Sequence, residues 1–174
     1  MYGRRRYYKR RSYIPRPMKK YSVENIMISD TLAHDGSGWL APKDVSDNPI
    51  AYNVVNPAQF VIDAVTQTIQ GTRKVKNFSM TLLANIERPI LWALVYKPEG
   101  VDVKELAPTG GSVYEPNQNV LMTGVFERGQ QNKWFTKLGR NLNSGDSIVL
   151  LISAYSADAQ NIYWGAQITY AVAF

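Results

Sequence analysis

The sequence predicts an all-β protein, a sandwich or barrel of short antiparallel strands for which an eight-stranded jelly roll is the leading candidate. Two observations carry this prediction. Apolar and polar residues alternate with period 2 in several segments, and clusters of Gly, Pro, Asn and Asp separate these segments. Positive charge, in addition, is concentrated at the start of the chain. The sequence therefore divides into a basic arm, residues 1–20, and a single jelly-roll domain, residues 21–174.

The arm is defined by its charge. Residues 1–20 hold nine of the 20 Lys and Arg residues and no Asp or Glu, whereas residues 21–174 hold 11 basic and 14 acidic residues. The body is thus close to neutral, with a net charge of −3 against +9 for the arm. Because like charges repel and little of the arm can be buried, we expect it to be disordered or extended, with a reach of about 65 Å.

The composition of the arm points to nucleic acid. Guanidinium groups bind phosphate oxygens in pairs, and tyrosine rings stack on unpaired bases. Tyrosines are interleaved with the charges, at Tyr2, Tyr7, Tyr8 and Tyr13. The predicted nucleic-acid-binding residues are Arg4, Arg5, Arg6, Tyr7, Tyr8, Lys9, Arg10, Arg11, Tyr13, Arg16, Lys19 and Lys20. We expect contacts that follow the phosphate backbone without reading sequence. The alternative is a solvated tail or a nuclear-localisation signal.

Strand patterns dominate the body. The predicted strands cover residues 21–31, 77–82, 90–96, 120–126, 133–138, 147–153 and 162–174. Residues 90–96 and 147–153 are apolar on both faces, which is typical of strands that run through the middle of a core.

The connections are predicted from turn-forming residues. Residues 143–146 predict a tight turn, and the Gly and Pro residues of 32–58 predict a long loop. Residues 56–70 are ambiguous: Asn56-Pro57-Ala58-Gln59 is typical of a helix start, but the following Val, Ile and Thr favour strands. For this segment we expect a short helix or mixed structure.

Four tryptophans lie far apart in the sequence. Trp92 and Trp164 fall in predicted strands and are expected in the core. Trp39, in the predicted loop, and Trp134, at a strand edge, are candidates for contacts between subunits.

Residues for catalysis are scarce. The chain has no Cys and a single His, His34, for which we expect an ordinary loop or interface role. No glycine-rich phosphate-binding motif and no metal-ligand spacing occurs, so we expect no enzyme, no catalytic or metal-binding residues and no cofactor. No apolar run is long enough to cross a membrane, and no signal peptide is expected.

Four strings in the body carry a resemblance: residues 71–78, 91–100, 114–120 and 139–148, of which the last two are the most specific. Together with Tyr170-Ala-Val-Ala-Phe174 they resemble the capsid proteins of circular Rep-encoding single-stranded DNA (CRESS-DNA) viruses, the circovirus-like group. The similarity spans roughly residues 70–174. The resemblance implies an eight-stranded jelly roll, an icosahedral T=1 shell of 60 subunits and a circular single-stranded DNA genome. It also implies a genome-binding arm that often serves nuclear import.

The functional expectation is therefore a self-assembling viral coat protein, found in the virion and during assembly in the host nucleus. Its expected partners are further copies of itself, single-stranded DNA and a host nuclear import receptor, with no membrane. Two alternatives stay open. One is a cellular single-strand nucleic-acid-binding β-barrel module. The other is the jelly-roll coat of a satellite RNA virus, for which the physical chemistry is the same and only the genome differs.

Overall fold

The computed structural model describes residues 21–32, 38–40, 50–55, 59–62, 65–68, 72–85, 88–103, 119–128, 132–156 and 161–173. Within them the strands are β1 Ser22–Leu32, β2 Gly38–Leu40, β3 Tyr52–Val55, β4 Gln59–Ile62, β5 Val65–Thr68, β6 Arg73–Ala84, β7 Ile90–Lys97, β8 Val120–Phe126, β9 Lys133–Leu142, β10 Ser147–Ser156 and β11 Ile162–Ala173. All seven predicted strands are confirmed, and β6, β9 and β10 extend beyond their predicted bounds.

Two antiparallel sheets form the body. The first has the strand order β1-β11-β6-β9. The second has the order β2-β10-β7-β8, with β3 also paired to β10. Leu40 pairs with Ala154 and Tyr52 with Leu150, on the side of β10 opposite to β7. Therefore β2 and β3 lie on the same side of β10 and together occupy one edge of this sheet.

The topology is that of a long hairpin wrapped on itself. The strands β4 and β5 pair only with each other; without them, and with β2 and β3 counted as one, the two sheets hold eight strand positions along the chain. The first pairs with the eighth, the second with the seventh, the third with the sixth and the fourth with the fifth, all antiparallel. Each sheet holds two of these pairs. This arrangement is the predicted eight-stranded antiparallel jelly roll.

The main core lies between the two sheets. Inward-facing residues alternate along each strand, as in Phe78, Met80 and Leu82 of β6, all fully buried. The predicted core tryptophans Trp92 and Trp164 are both buried there. At about 25 cal/mol per Å² of apolar surface removed from water, this layer is the main driving force for folding.

A second, smaller apolar cluster covers the outer face of the second sheet. Ala93 and Val95 of β7 and Val149 and Leu151 of β10 are buried there. Partly buried residues packed on them are Ala51, Leu91, Val101, Val103 and Val120. Both faces of β7 and β10 are therefore buried, as their two-sided apolar sequences predicted.

Two predictions about the connections are wrong. Residues 38–40 and 52–55, predicted as loop, are strands because β10 offers them an unpaired edge. In the segment 56–70, for which a short helix or mixed structure is expected, residues 59–62 and 65–68 form the antiparallel strands β4 and β5 instead. In that segment the strand preference of Val, Ile and Thr outweighs the helix-start signal at 56–59.

Candidate nucleic-acid interface

The outer face of the first sheet is positively charged. Residues directly opposite each other across an antiparallel pair point to the same side of the sheet. Val75 of β6 points into the core, so the lysines on either side of it, Lys74 and Lys76, point outward. The lysines on this outer face are Lys74 and Lys76 of β6 and Lys133 and Lys137 of β9.

Acidic residues of the same sheet lie on its opposite side. Glu24 pairs with Tyr170 and Asp30 with Trp164, so both carboxylates belong to the core side of β1. Asp30 accepts a hydrogen bond of 2.8 Å from the hydroxyl of Tyr52. Neither carboxylate therefore lies on the outer face with the lysines.

Three of these lysines meet at one groove. It has a volume of about 500 Å³ and is lined by Lys74, Lys76, Lys137, Gly139, Arg140 and Asn141. Register explains the meeting, because Lys74 lies opposite Asn141 and Lys76 lies opposite Gly139. Three lysines of the outer face and no carboxylate line the groove. Such a concentration of like charge favours an anion with several negative groups, such as the backbone of a nucleic acid.

Gly139 keeps the floor of the groove open. A Cβ at this position would lie 2.5 Å from the carbonyl oxygen of Val75 and 2.8 Å from the Cβ of Lys76. Neither neighbour is the movable end of a side chain. Glycine therefore permits the close approach of β9 to β6 that brings Lys137 beside Lys74 and Lys76.

Arg140 borders the groove but belongs to the other side of the sheet. It is partly buried and lies opposite Val75, which points into the core, so its side chain leaves the sheet on the core side as well. Burial and a hydrogen bond to Asp146 raise the pKa of Tyr96, and the positive charge of Arg140 acts against them. The charge of Arg140 therefore lies towards Tyr96 at the end of the sandwich, and the lysines supply the positive charge of the outer face.

The groove lies beside the junction with the predicted arm. The Nζ atom of Lys76 stands 4.1 Å from the centre of the Tyr21 ring, a cation–π contact. Tyr21 is the residue that follows the arm. Residues 1–20, with their nine cations, therefore join the folded body next to the lysines of the groove.

An exposed aromatic residue lies between two of the outer lysines. Phe135 of β9 is 58% exposed and faces outward opposite Ser79. Lys133 and Lys137 are two residues away on either side, which places them on the same face at about 7 Å along the strand. Proteins that bind single-stranded nucleic acids combine cations, which contact the phosphates, with aromatic rings, on which the bases stack.

The twelve predicted arm residues all lie outside the described part of the structure, as does His34. Trp39 lies in β2, opposite Tyr155 of β10. Its role as a subunit contact stays a prediction. The arm's role in binding nucleic acid likewise stays a prediction.

Trp134 has an intramolecular partner. Its ring centre lies 4.9 Å from that of Trp92, in an edge-to-face arrangement. Gly124 makes room for the pair, since a Cβ there would lie 2.8 Å from Cζ2 of Trp92 and 3.0 Å from Nε1 of Trp134. Trp134 is only partly buried, so a second role in subunit contact remains a prediction.

Lys137 and Arg140 were not predicted as site residues. In the sequence only Arg73, Lys74 and Lys76 form a basic cluster within the body. Lys137 and Arg140 are more than 60 residues further along the chain, and only the β6–β9 pairing brings them close. A signal existed in the sequence, because Lys133, Phe135 and Lys137 alternate on one side of a predicted strand.

Within the described residues, no group of three or more His, Cys, Asp or Glu side chains is placed to hold a metal ion. The same part of the chain contains no helix long and apolar enough to cross a membrane. Comparison with known proteins gives no match to any protein-family model and no match to a curated protein.

Proposed function

We propose that this protein is the coat protein of a small virus, which assembles into an icosahedral shell and packages single-stranded DNA. The 60-subunit shell and the DNA genome rest on the resemblance to CRESS-DNA virus capsid proteins. The packaging mechanism rests on the charges of the arm and of the groove. No residue is assigned a catalytic role.

The fold supports this proposal. Jelly rolls are the architecture of many viral shells, although lectins and cupins share it, so the fold alone does not decide the function. Cupin-type sites need metal-ligating side chains, and the described residues bring no such group together. The basic outer face of the first sheet fits a shell that encloses nucleic acid.

One observation carries the proposal above the others: the segregation of charge. The arm has nine cations and no acid, and it joins the body at Tyr21, beside a groove lined by three further lysines. If the arms of many subunits point inward, each brings its cations to the packaged strand. Release of counterions from the phosphates then makes packaging favourable.

A cellular single-strand nucleic-acid-binding module is the second candidate. The observation that favours it is the exposed Phe135 between Lys133 and Lys137, because such modules bind through rings and cations on their strands. The two candidates differ in assembly, since the module works as a monomer or small oligomer.

Electron microscopy of the purified full chain tests the proposal. We expect closed particles of uniform diameter that protect nucleic acid from added nuclease. A sample that sediments only as monomers or dimers, at concentrations and salt conditions that span those typical of shell assembly, would overturn the coat-protein proposal in favour of the module. Digestion of the extracted contents with DNase and with RNase, in separate reactions, distinguishes a DNA virus from a satellite RNA virus.

A further inference from the structure

We infer that the outer face of the first sheet is a second binding surface for the nucleic-acid backbone, centred on Lys74, Lys76 and Lys137, and that this face lines the interior of the shell. The inference rests on the proposed function and deepens it. It assigns to the folded body a binding role that the sequence places in the arm alone.

The first step is the chemistry of the groove. Lys74, Lys76 and Lys137 of neighbouring strands line one space of about 500 Å³. The positive ammonium groups around this space repel each other, and the phosphates of a nucleic-acid strand reduce that repulsion at several points at once. Asn141 adds an amide that can donate to a phosphate oxygen.

The second step is the aromatic side chain beside the groove. Phe135 is two residues from Lys137 on the same face of β9 and is 58% exposed. An exposed phenylalanine gains free energy by stacking on an unpaired base, whereas the bases of a duplex are already stacked on each other. The ring therefore selects a single strand, and the lysines bind its phosphates.

The third step gives the face its direction in the shell. Tyr21 contacts Lys76, so the arm leaves the body beside the groove. The outer face of the second sheet, by contrast, is apolar and is covered by residues that include Val101 and Val103. Of the two sheet faces, the one beside the arm is thus both open and cationic. An arm that binds the packaged strand brings this face against the same strand.

The first experiment measures how binding of fluorescent oligothymidylate by the full chain depends on salt. The variant is the triple substitution Lys74→Gln, Lys76→Gln and Lys137→Gln, which removes three charges and keeps most of each side-chain stem. The control is Arg88→Gln, Lys97→Gln and Arg128→Gln, which removes three charges from positions that do not line the groove. Both variants are first compared with the natural chain by thermal unfolding.

A backbone site predicts a specific change. For single strands, the slope of log K against log salt has a magnitude of about 0.7 per phosphate that the protein neutralises, so removing three lysines should make the slope shallower by about 2. The control should keep the slope of the natural chain. Equal slopes in all three proteins, or equal decreases in the two variants, would overturn the inference.

Chemical labelling of lysines tests the same surface without a substitution. In nuclease-treated, emptied protein, an amine-reactive reagent should modify Lys74, Lys76 and Lys137. In the nucleic-acid complex the same three should be protected, while Lys97 is modified equally in both. Equal labelling of the groove lysines in both states would contradict the inference.

The two proposals fail separately. Particles that form and package normally in the groove variant, with an unchanged salt slope, would leave the coat-protein function standing and remove the second surface. Oligothymidylate binding that depends on the groove, in a protein that never forms particles, would keep the surface and remove the shell.

Discussion

The hydroxyl of Tyr96 donates a hydrogen bond of 2.9 Å to the carboxylate of Asp146, which is almost completely buried. The same carboxylate accepts the backbone N–H groups of Glu99, at 3.1 Å, and of Asn143, at 2.9 Å. Three donors from two distant parts of the chain thus meet at one side chain. Asp146 fastens the turn before β10 to the turn that follows β7.

Replacing Asp146 should therefore destabilise the fold. Asp146→Ala leaves three donors without a partner near the core, and each buried unsatisfied group costs about 1–3 kcal/mol. We expect a loss of roughly 3 kcal/mol in the free energy of unfolding, and a smaller loss for Asp146→Asn, which keeps one accepting oxygen. Urea unfolding followed by tryptophan fluorescence measures both. The exposed Glu127→Gln is the control, and an Asp146→Ala midpoint equal to that of the control would show that the carboxylate holds nothing together.

A second prediction concerns the space between the two indole rings. Gly124→Ala would place a methyl group 2.8 Å from Trp92 and 3.0 Å from Trp134, closer than carbon atoms approach without repulsion. Overpacking of this kind costs about 1–3 kcal/mol, so the midpoint of unfolding should fall. Gly165→Ala is the matched control in a strand, because its methyl group would meet nothing closer than 3.7 Å. If both variants unfolded alike, the indole pair would have to be freely movable.

The bulge at Asn77 makes a third prediction. Asn77 has a φ of 57°, the left-handed region, and the register of β6 shifts there against both of its neighbours. Asn and Gly tolerate this conformation, whereas a β-branched residue does not. Asn77→Gly should therefore keep the stability of the natural chain, and Asn77→Val should lose about 1–2 kcal/mol. Thermal unfolding of the two variants side by side decides, and an Asn77→Val protein as stable as Asn77→Gly would refute the role of the bulge.

The bulge at Asn77 also explains why β6 was predicted less completely from the sequence than β11. β11 alternates without interruption and was predicted along its whole length. In β6, however, Val75 and Phe78 are both buried although they are three positions apart, because Asn77 shifts the alternation by one. The first four residues of β6 therefore gave no period-2 signal.

Which strands pair with each other could not be predicted from the sequence either. Strands β2 and β3 are short and surrounded by Gly and Pro, and they exist because β10 supplies hydrogen-bonding partners. The groove depends in the same way on pairing, since Lys74 and Lys137 become neighbours only through β6 and β9. The arm, by contrast, was recognisable from local charge alone. Local patterns predicted the fold class and the arm, while contacts between distant segments had to come from the structure.

Alkaline pH should weaken the fold through its tyrosines. Burial, as the largest cause, raises the pKa of Tyr52 far above 10.0, and the hydrogen bond to Asp30 raises it further. Burial likewise raises the pKa values of Tyr96 and Tyr170. A folded-state pKa above the unfolded value means that the unfolded chain releases its proton first as pH increases. The stability from these hydroxyls is therefore complete below pH 10 and is lost progressively as pH rises above it.

The test compares Tyr52→Phe with the natural chain. The natural chain should be more stable by about 1 kcal/mol near neutral pH, the usual value of one hydrogen bond, and this difference should shrink above pH 10. Tyr163→Phe, whose ring is 55% exposed, is the control for the removal of a tyrosine hydroxyl outside the core. A difference between Tyr52→Phe and the natural chain that stayed constant through the alkaline range would exclude a shifted tyrosine as its source.

The last prediction separates the arm from the body. Deletion of residues 2–20 removes nine cations but none of the strands, so the protein should still form shells. Those shells should hold little nucleic acid, because most of the counterion release that drives packaging comes from the arm. The measurement is the ratio of absorbance at 260 nm to that at 280 nm for purified particles, with electron microscopy to confirm that they are closed.

A full-length variant with the arm arginines and lysines changed to glutamine is the control for chain length. It should behave like the deletion, whereas deleted particles that package at the natural level would show that the arm is dispensable for packaging. A small remaining fraction of nucleic acid that disappears with the Lys74, Lys76 and Lys137 substitutions would be the contribution of the groove, since those cations stay with the folded body when the arm is gone.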